Sequence, residues 1–323
     1  MAAPLLSVEH LSIGIRKGSR IFTAVQDVSF KVHSGEIVGI VGESGCGKSL
    51  TALSIAGLLA RGAEVIGGDI YFDTSGGAVN LLKLSEKELC KIRGKDISFV
   101  FQEPYPSLNP LLKAGDQITE TLYIHGEKDR AKTKAQAIEL IKKLGLEDAE
   151  KLMEAYPHRL SGGMCQRVMI ALAMICKPKL LIADEPTTAL DIATQAQILD
   201  LMKGINAEFG TSVLFISHDL SIISRLCKRV LVMYAGRLVE EGSAAEVFAN
   251  PGHEYTRGLV GSIPGRNLKG EDLANIPGKV PSVEEERPPG CPFAPRCSKA
   301  TEQCTKSFPA GREISPGHYA YCK

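Results

Sequence analysis

The sequence predicts an α/β fold: a parallel core sheet, an N-terminal antiparallel β part, an inserted helical subdomain and a small Cys-rich C-terminal tail. Three observations predict it. Glu36-Ile37-Val38-Gly39-Ile40-Val41 is a short apolar run of the kind needed by a strand covered on both faces. Further apolar runs follow at Lys179–Asp184, Ser212–Ser217 and Arg229–Tyr234. Helical sequence separates the first two, which implies right-handed crossovers between parallel strands.

The elements can be justified in chain order. From about Ser7 to Lys31, Val, Ile, Phe and Ser alternate with turn residues and read as antiparallel strands. The run ending at Val41 enters a glycine-rich loop and then a helical pattern from Lys48 to about Leu59. Lys95–Gln102 reads as another strand. Between roughly Glu103 and Pro157 the sequence turns helical and polar, notably over Glu127–Leu146, and marks the inserted subdomain at about 103–165. After about Pro264, Pro, Gly and charged residues dominate through Pro277-Gly278, Glu284-Glu285-Glu286 and Pro288-Pro289-Gly290, a linker composition. The expected division is residues 1–260 as the main domain and 261–323 as linker and tail.

A net charge of +1 gives no basic field for nucleic acid, so no nucleic-acid partner is expected. No stretch approaches the roughly 18 consecutive apolar residues that cross a bilayer. Met1–Leu6 lacks the basic and apolar regions of a secretion signal. The expectation is a cytosolic chain whose membrane role, if it has one, needs separate membrane-spanning partners.

Gly42-Glu43-Ser44-Gly45-Cys46-Gly47-Lys48-Ser49 matches G-x-x-x-x-G-K-[ST] between a predicted strand and a helix, the context of a P-loop NTPase. Glycines let the backbone curl so that N–H groups converge on phosphate oxygens, and the helix N-terminus adds partial positive charge. Lys48 would contact the β- and γ-phosphates of ATP, Ser49 would hold Mg²⁺, and Leu50 continues the loop into the helix. Cys46 has two readings: a thiol with its pKa lowered by a helix N-terminus, hence sensitive to alkylation, or a small residue filling a tight loop.

Leu180-Leu181-Ile182-Ala183-Asp184-Glu185 is an apolar strand ending in two carboxylates. Beside a phosphate loop, Asp184 would reach Mg²⁺ through water and Glu185 would polarise the attacking water. Taken alone, such an end is equally a solvated strand terminus. Leu160-Ser161-Gly162-Gly163 discriminates further, because it is similar to the signature of ABC ATPases, although by itself it is also a plain helix cap. In that family the segment closes on ATP held by the partner subunit. Gln102 resembles the Q-loop residue that contacts Mg²⁺ and faces the membrane partner, Ala189-Leu190-Asp191 resembles the D-loop, and His218 resembles the switch histidine. The resemblance implies an ABC nucleotide-binding domain with a RecA-like core sheet, hydrolysing ATP. Ser217-His218-Asp219 has the residue types of a hydrolase triad, but consecutive residues cannot converge as a triad must.

Three segments narrow the family. Ser161–Ile170, with Met164 at a position usually held by Gln, resembles the D-type ATPase of oligopeptide, dipeptide and nickel importers. Asn250–Leu259 and Gly290–Cys297 resemble the same proteins' post-core motif and Cys-rich tail. The resemblance implies a motor at the cytoplasmic face of the membrane, paired with a second, F-type ATPase beneath two permeases fed by an extracytoplasmic binding protein. Peptide is the expected cargo; nickel or another small solute remains open, and a soluble ABC ATPase without a transport role is the rival class. Members stack adenine on an aromatic residue upstream of the loop. Ile15 stands there, with Phe22 the nearest alternative, so weaker base discrimination is expected.

Cys291, Cys297, Cys304 and Cys322 have the spacing C-x5-C-x6-C-x17-C, which matches no C-x-x-C zinc ribbon. Four thiols in a reducing compartment suggest a metal site of open identity. The resemblance implies a [4Fe–4S] cluster, with Zn²⁺, disulfides or free thiols as alternatives and His318 as a substitute ligand. Cys90, Cys165, Cys176 and Cys227 read as buried thiols.

Overall fold

The computed structural model describes residues 3–188, 190–263, 276–285 and 288–322. Strands among them are β1 (Leu6–Lys17), β2 (Arg20–Val32), β3 (Ile37–Val41), β4 (Ala63–Thr74), β5 (Gly77–Asn80), β6 (Ile97–Val100), β7 (Leu180–Asp184), β8 (Ser212–Ser217), β9 (Arg229–Tyr234), β10 (Arg237–Ser243), β11 (Arg312–Ser315) and β12 (His318–Ala320). The chain forms two compact units. One contains 1–32, 37–82 and 215–323; the other contains 33–36 and 83–214.

In the first unit, β1 and β2 form a long antiparallel hairpin extended by β4 and β5, in the order β2-β1-β4-β5. Apolar partners such as Val8 opposite Phe30 and Ile13 opposite Val25 are buried, as expected of the strands read in Ser7–Lys31. A second set of strands follows the order β11-β12-β10-β9-β3. β3 and β9 pair in parallel, and every residue of β3 is buried, so both its faces are covered. The turn into β10 makes it antiparallel to β9.

The tail is more regular than its composition suggests. β11 and β12 form a hairpin, and β12 pairs with β10, Glu240 opposite Ala320 and Glu241 opposite Tyr319. Glu240 explains the attachment. Fully buried, it accepts hydrogen bonds from the backbone N–H of Gly252 (2.7 Å) and His253 (2.8 Å) and pairs with His318 Nε2 (2.7 Å). One carboxylate thereby ties the turn before the helix Glu254–Gly261 and the last strand to the sheet.

In the second unit the strand order is β8-β7-β6, with β6 and β7 parallel. Ser212–Leu214 of β8 belongs here and Phe215–Ser217 to the first unit. The helical sequence between Glu103 and Pro157 forms helices Pro104–Ser107, Ala114–Ile124, Arg130–Lys143 and Ala149–Met153. Asp129 caps the third by accepting from the Ala131 and Lys132 N–H groups. The helix Gly162–Met174 buries Val168, Met169, Ile170 and Ala171, and Ile192–Phe209 ends at Gly210 in the left-handed region (φ 67°) that glycine tolerates. No helix among the described residues is long and apolar enough to cross a membrane.

Candidate functional site

In the first unit, β3 delivers the phosphate loop. Gly42 has φ 153°, and a Cβ there would fall 2.1 Å from the Met233 carbonyl oxygen. Only glycine lets the loop pass that close to β9. Gly45 and Gly47 also take positive φ (79° and 101°), and Gly47 leads into the helix Lys48–Ile55. Lys48 is buried, with Nζ donating to the carbonyl oxygens of Gly42 (2.8 Å) and Glu43 (3.1 Å). Ser44 and Gly45 are exposed, and Ser49 and Leu50 half-buried. Cys46 is fully buried and burial pushes its thiol up, with Lys48 opposing. The reactive-thiol reading is therefore corrected: the residue fills the loop. Cys90, expected to be buried, is exposed.

Ile15 and Phe22, the two candidates for the base contact, face each other across the β1–β2 ladder and are both half-buried. Directly opposed residues share a face. An Ile15→Tyr variant would add a ring worth about 0.5–1.5 kcal/mol of stacking, lowering the KM for ATP roughly two- to tenfold. An unchanged KM would remove Ile15 from the base contact.

In the second unit, Asp184 ends β7 and is buried. Glu185 follows with φ 47°, a left-handed conformation that an L-residue adopts at a cost of roughly 1–2 kcal/mol. Its Oε2 accepts from Gln102 Nε2 (3.2 Å) and Thr188 Oγ1 (3.0 Å), so two of the residues expected to work in hydrolysis meet directly. Ser161 is exposed and caps the helix Gly162–Met174, its Oγ accepting from the Met164 N–H. A Cβ on Gly163 would approach Thr194 Cγ2 to 2.9 Å, so the signature glycine packs against the helix that Asp191 caps. Asp191 Oδ2 accepts from Thr194 Oγ1 (2.6 Å), which holds its carboxyl below the usual range. Ala189, the first D-loop residue, lies outside the described residues, as do 264–275 and 286 of the linker.

His218 stands exposed after β8 in the first unit. The Ser217 hydroxyl accepts from the Asp219 N–H, and Asp219 caps the helix Leu220–Leu226. Both neighbours of His218 are committed to local bonds, which dismisses the triad.

The four tail cysteines all line one cavity of about 310 Å³. Sequence reasoning missed its other notable wall residue, His253, whose Nε2 lies 3.6 Å from Cys291 Sγ. Nδ1 accepts from the Tyr255 N–H (3.1 Å), so Nε2 carries the proton and points its N–H at the sulfur. Burial lowers the His253 pKa to about 4 and raises that of Cys291 to about 11, so both are neutral as the lobe stands. His318, expected as a spare ligand, is instead engaged by Glu240 and does not line the cavity. Among the described residues no three His, Cys, Asp or Glu side chains converge on a point that could hold a metal ion.

Two family models match: the ABC transporter family over residues 25–188, and the oligopeptide/dipeptide transporter C-terminal region over 239–304. A probable peptide ABC transporter ATP-binding protein, y4tR of Sinorhizobium fredii, is 47% identical, covering 98% of this chain and 94% of its own length. The oligopeptide transport ATP-binding protein OppD of Escherichia coli is 44% identical, covering 99% and 93%. Among solved structures, the ATP-binding cassette MJ0796, dimeric in a post-hydrolysis state with ADP and Pi, shares 31% identity at a TM-score of 0.66, covering 74% of this chain and 98% of that one. With its phosphate loop, signature helix and Cys lobe formed as described, this chain belongs to the ATP-binding subunits of the oligopeptide/dipeptide ABC transporter family.

Proposed function

We propose that this chain is the ATP-hydrolysing motor of a peptide importer at the cytoplasmic face of a membrane, pairing with a second ABC ATPase beneath two permeases fed by an extracytoplasmic binding protein. The observation that carries the hydrolytic part is Glu185, held in a strained backbone at the end of β7 with Gln102 on its carboxylate. The names of the relatives and the oligopeptide/dipeptide C-terminal match support peptide cargo.

Residue roles follow from chemistry. Loop N–H groups from Gly42 to Ser49 and the Lys48 ammonium bind the phosphates of ATP. Ser49 in the first unit, and Gln102 and Asp184 in the second, each offer oxygen donors of the kind that suits Mg²⁺, which when bound would offset charge on the phosphate oxygens. Glu185 orients and deprotonates water, and His218 stabilises the γ-phosphate end. Ser161, Gly162 and Gly163 present a helix N-terminus, and Asp191 a capped loop, to nucleotide held by the partner ATPase. Phe101, Tyr105, Leu111 and Leu112, exposed on and just after the Gln102 segment, supply apolar surface for a permease.

Purification from native membranes in mild detergent, read by mass spectrometry, tests this. Recovery of a second ABC ATPase, two permeases and a peptide-binding protein is expected. A nickel-binding protein in their place would change the cargo, and soluble partners alone would overturn the transport role.

The cysteine lobe is proposed to hold a [4Fe–4S] cluster, a one-electron centre when loaded. Anaerobically purified chain is expected to contain about four iron atoms and show broad visible absorbance, both lost in Cys297→Ser. One zinc per chain instead would replace the cluster reading.

A further inference from the structure

Glu43, an interior residue of the phosphate loop, does not face solvent freely. Its N–H donates to the Tyr255 hydroxyl (2.8 Å), and its carboxylate takes both arms of Arg296: Nη1 to Oε2 at 2.9 Å and Nη2 to Oε1 at 3.3 Å. Arg296 sits between Pro295 and Cys297 in the tail, and its side chain is only 6% exposed. The remaining donors of the guanidinium are also used. Nε donates to the Pro277 carbonyl, Nη2 to that of Ile276 and Nη1 to the Tyr234 hydroxyl. An arginine with its whole fork occupied is fixed in position. Beneath it, Tyr234, Tyr255 and Phe293 pack ring against ring at 4.6, 5.2 and 5.4 Å, joining the end of β9 to the cysteine lobe. All of these residues lie in the first unit.

We infer that Arg296 is a positioning residue for ATP binding: its two-armed ion pair with Glu43 holds the phosphate loop in its binding shape and makes nucleotide affinity depend on the C-terminal lobe. The fork matches the carboxylate, and Tyr255 fixes the same residue's backbone, so side chain and main chain of Glu43 are both set from the C-terminal part of the chain. A loop set in advance need not be ordered by its ligand, and loss of that order weakens apparent affinity in proportion to the competent fraction.

The inference rests on the phosphate-loop reading, and the test separates the two. Full-length protein is titrated with a fluorescent ATP analogue in Mg²⁺, and KM and kcat for ATP are measured alongside. Arg296→Gln and Glu43→Gln are each expected to raise the analogue's Kd and the KM about tenfold, with kcat changing less than about twofold. The double variant is expected to be no worse than either single one, because both remove the same contact. Arg296→Lys, which keeps charge without the fork, falls between. His318→Ala weakens the same lobe away from the pair and is expected to lower the Tm while leaving Kd unchanged. Tight binding by the wild type with unchanged Kd in folded Arg296→Gln and Glu43→Gln overturns the clamp alone. Additive losses in the double variant, or an equal Kd rise in His318→Ala, overturn it in favour of general destabilisation. A wild-type chain that does not bind the analogue sinks the phosphate-loop reading, and the clamp with it.

Discussion

Glu185→Gln is expected to lower kcat for ATP hydrolysis by about 10²–10⁴-fold, the range removed with a general base, while Mg·ATP still binds within a few-fold of the wild-type affinity. Gln keeps the length of the side chain and an oxygen that can accept from Thr188 Oγ1 and Gln102 Nε2, so the strained turn after β7 persists. What it loses is the capacity to take a proton from water. Steady-state phosphate release beside equilibrium nucleotide binding separates the two effects. A variant that hydrolyses ATP at the wild-type rate would take Glu185 out of the chemistry.

The second large effect concerns stability. Glu240→Ala is expected to cost roughly 3–5 kcal/mol, because it strips one buried carboxylate from two buried partners, His253 and His318, and from half-buried Gly252. The Gly252 and His253 N–H groups and His318 Nε2 would lose the carboxylate they share. Glu240→Gln should fall between, since its amide can serve one oxygen position but presents a donor to the other. Chemical denaturation followed by circular dichroism measures the difference. A loss below about 1 kcal/mol for the alanine variant would mean that the network is replaceable.

The fold was legible wherever the sequence had a single physical solution. An all-apolar run such as Ile37–Val41 has to be buried on both faces, and a glycine-rich loop ending in Lys48-Ser49 must curl before a helix. The antiparallel start, the helical insertion and the strands at 97, 180, 212 and 229 all followed from such runs. β4 and β5 did not, because Gly67-Gly68 and Gly76-Gly77 break their alternation and read as turns. β10 to β12 were missed for another reason: their pairing is decided by Glu240, a charged residue whose burial only its distant partners His253 and His318 make affordable. In the site, residue types and spacing named the participants. They could not announce that Glu185 takes a left-handed backbone, that His253 rather than His318 faces the cysteines, or that Glu43 answers to Arg296. Each of these depends on contacts between residues far apart in the chain.

The bond between Glu43 and Arg296 spans 253 residues of sequence. A ribosome adding about 5–20 residues per second needs roughly 10–50 s to travel that distance. Throughout that interval the nascent chain already carries its glycine-rich loop yet lacks the arginine that would brace it. The order of synthesis therefore acts as a built-in delay: a product truncated or stalled before Arg296 is born with an unbraced ATP loop.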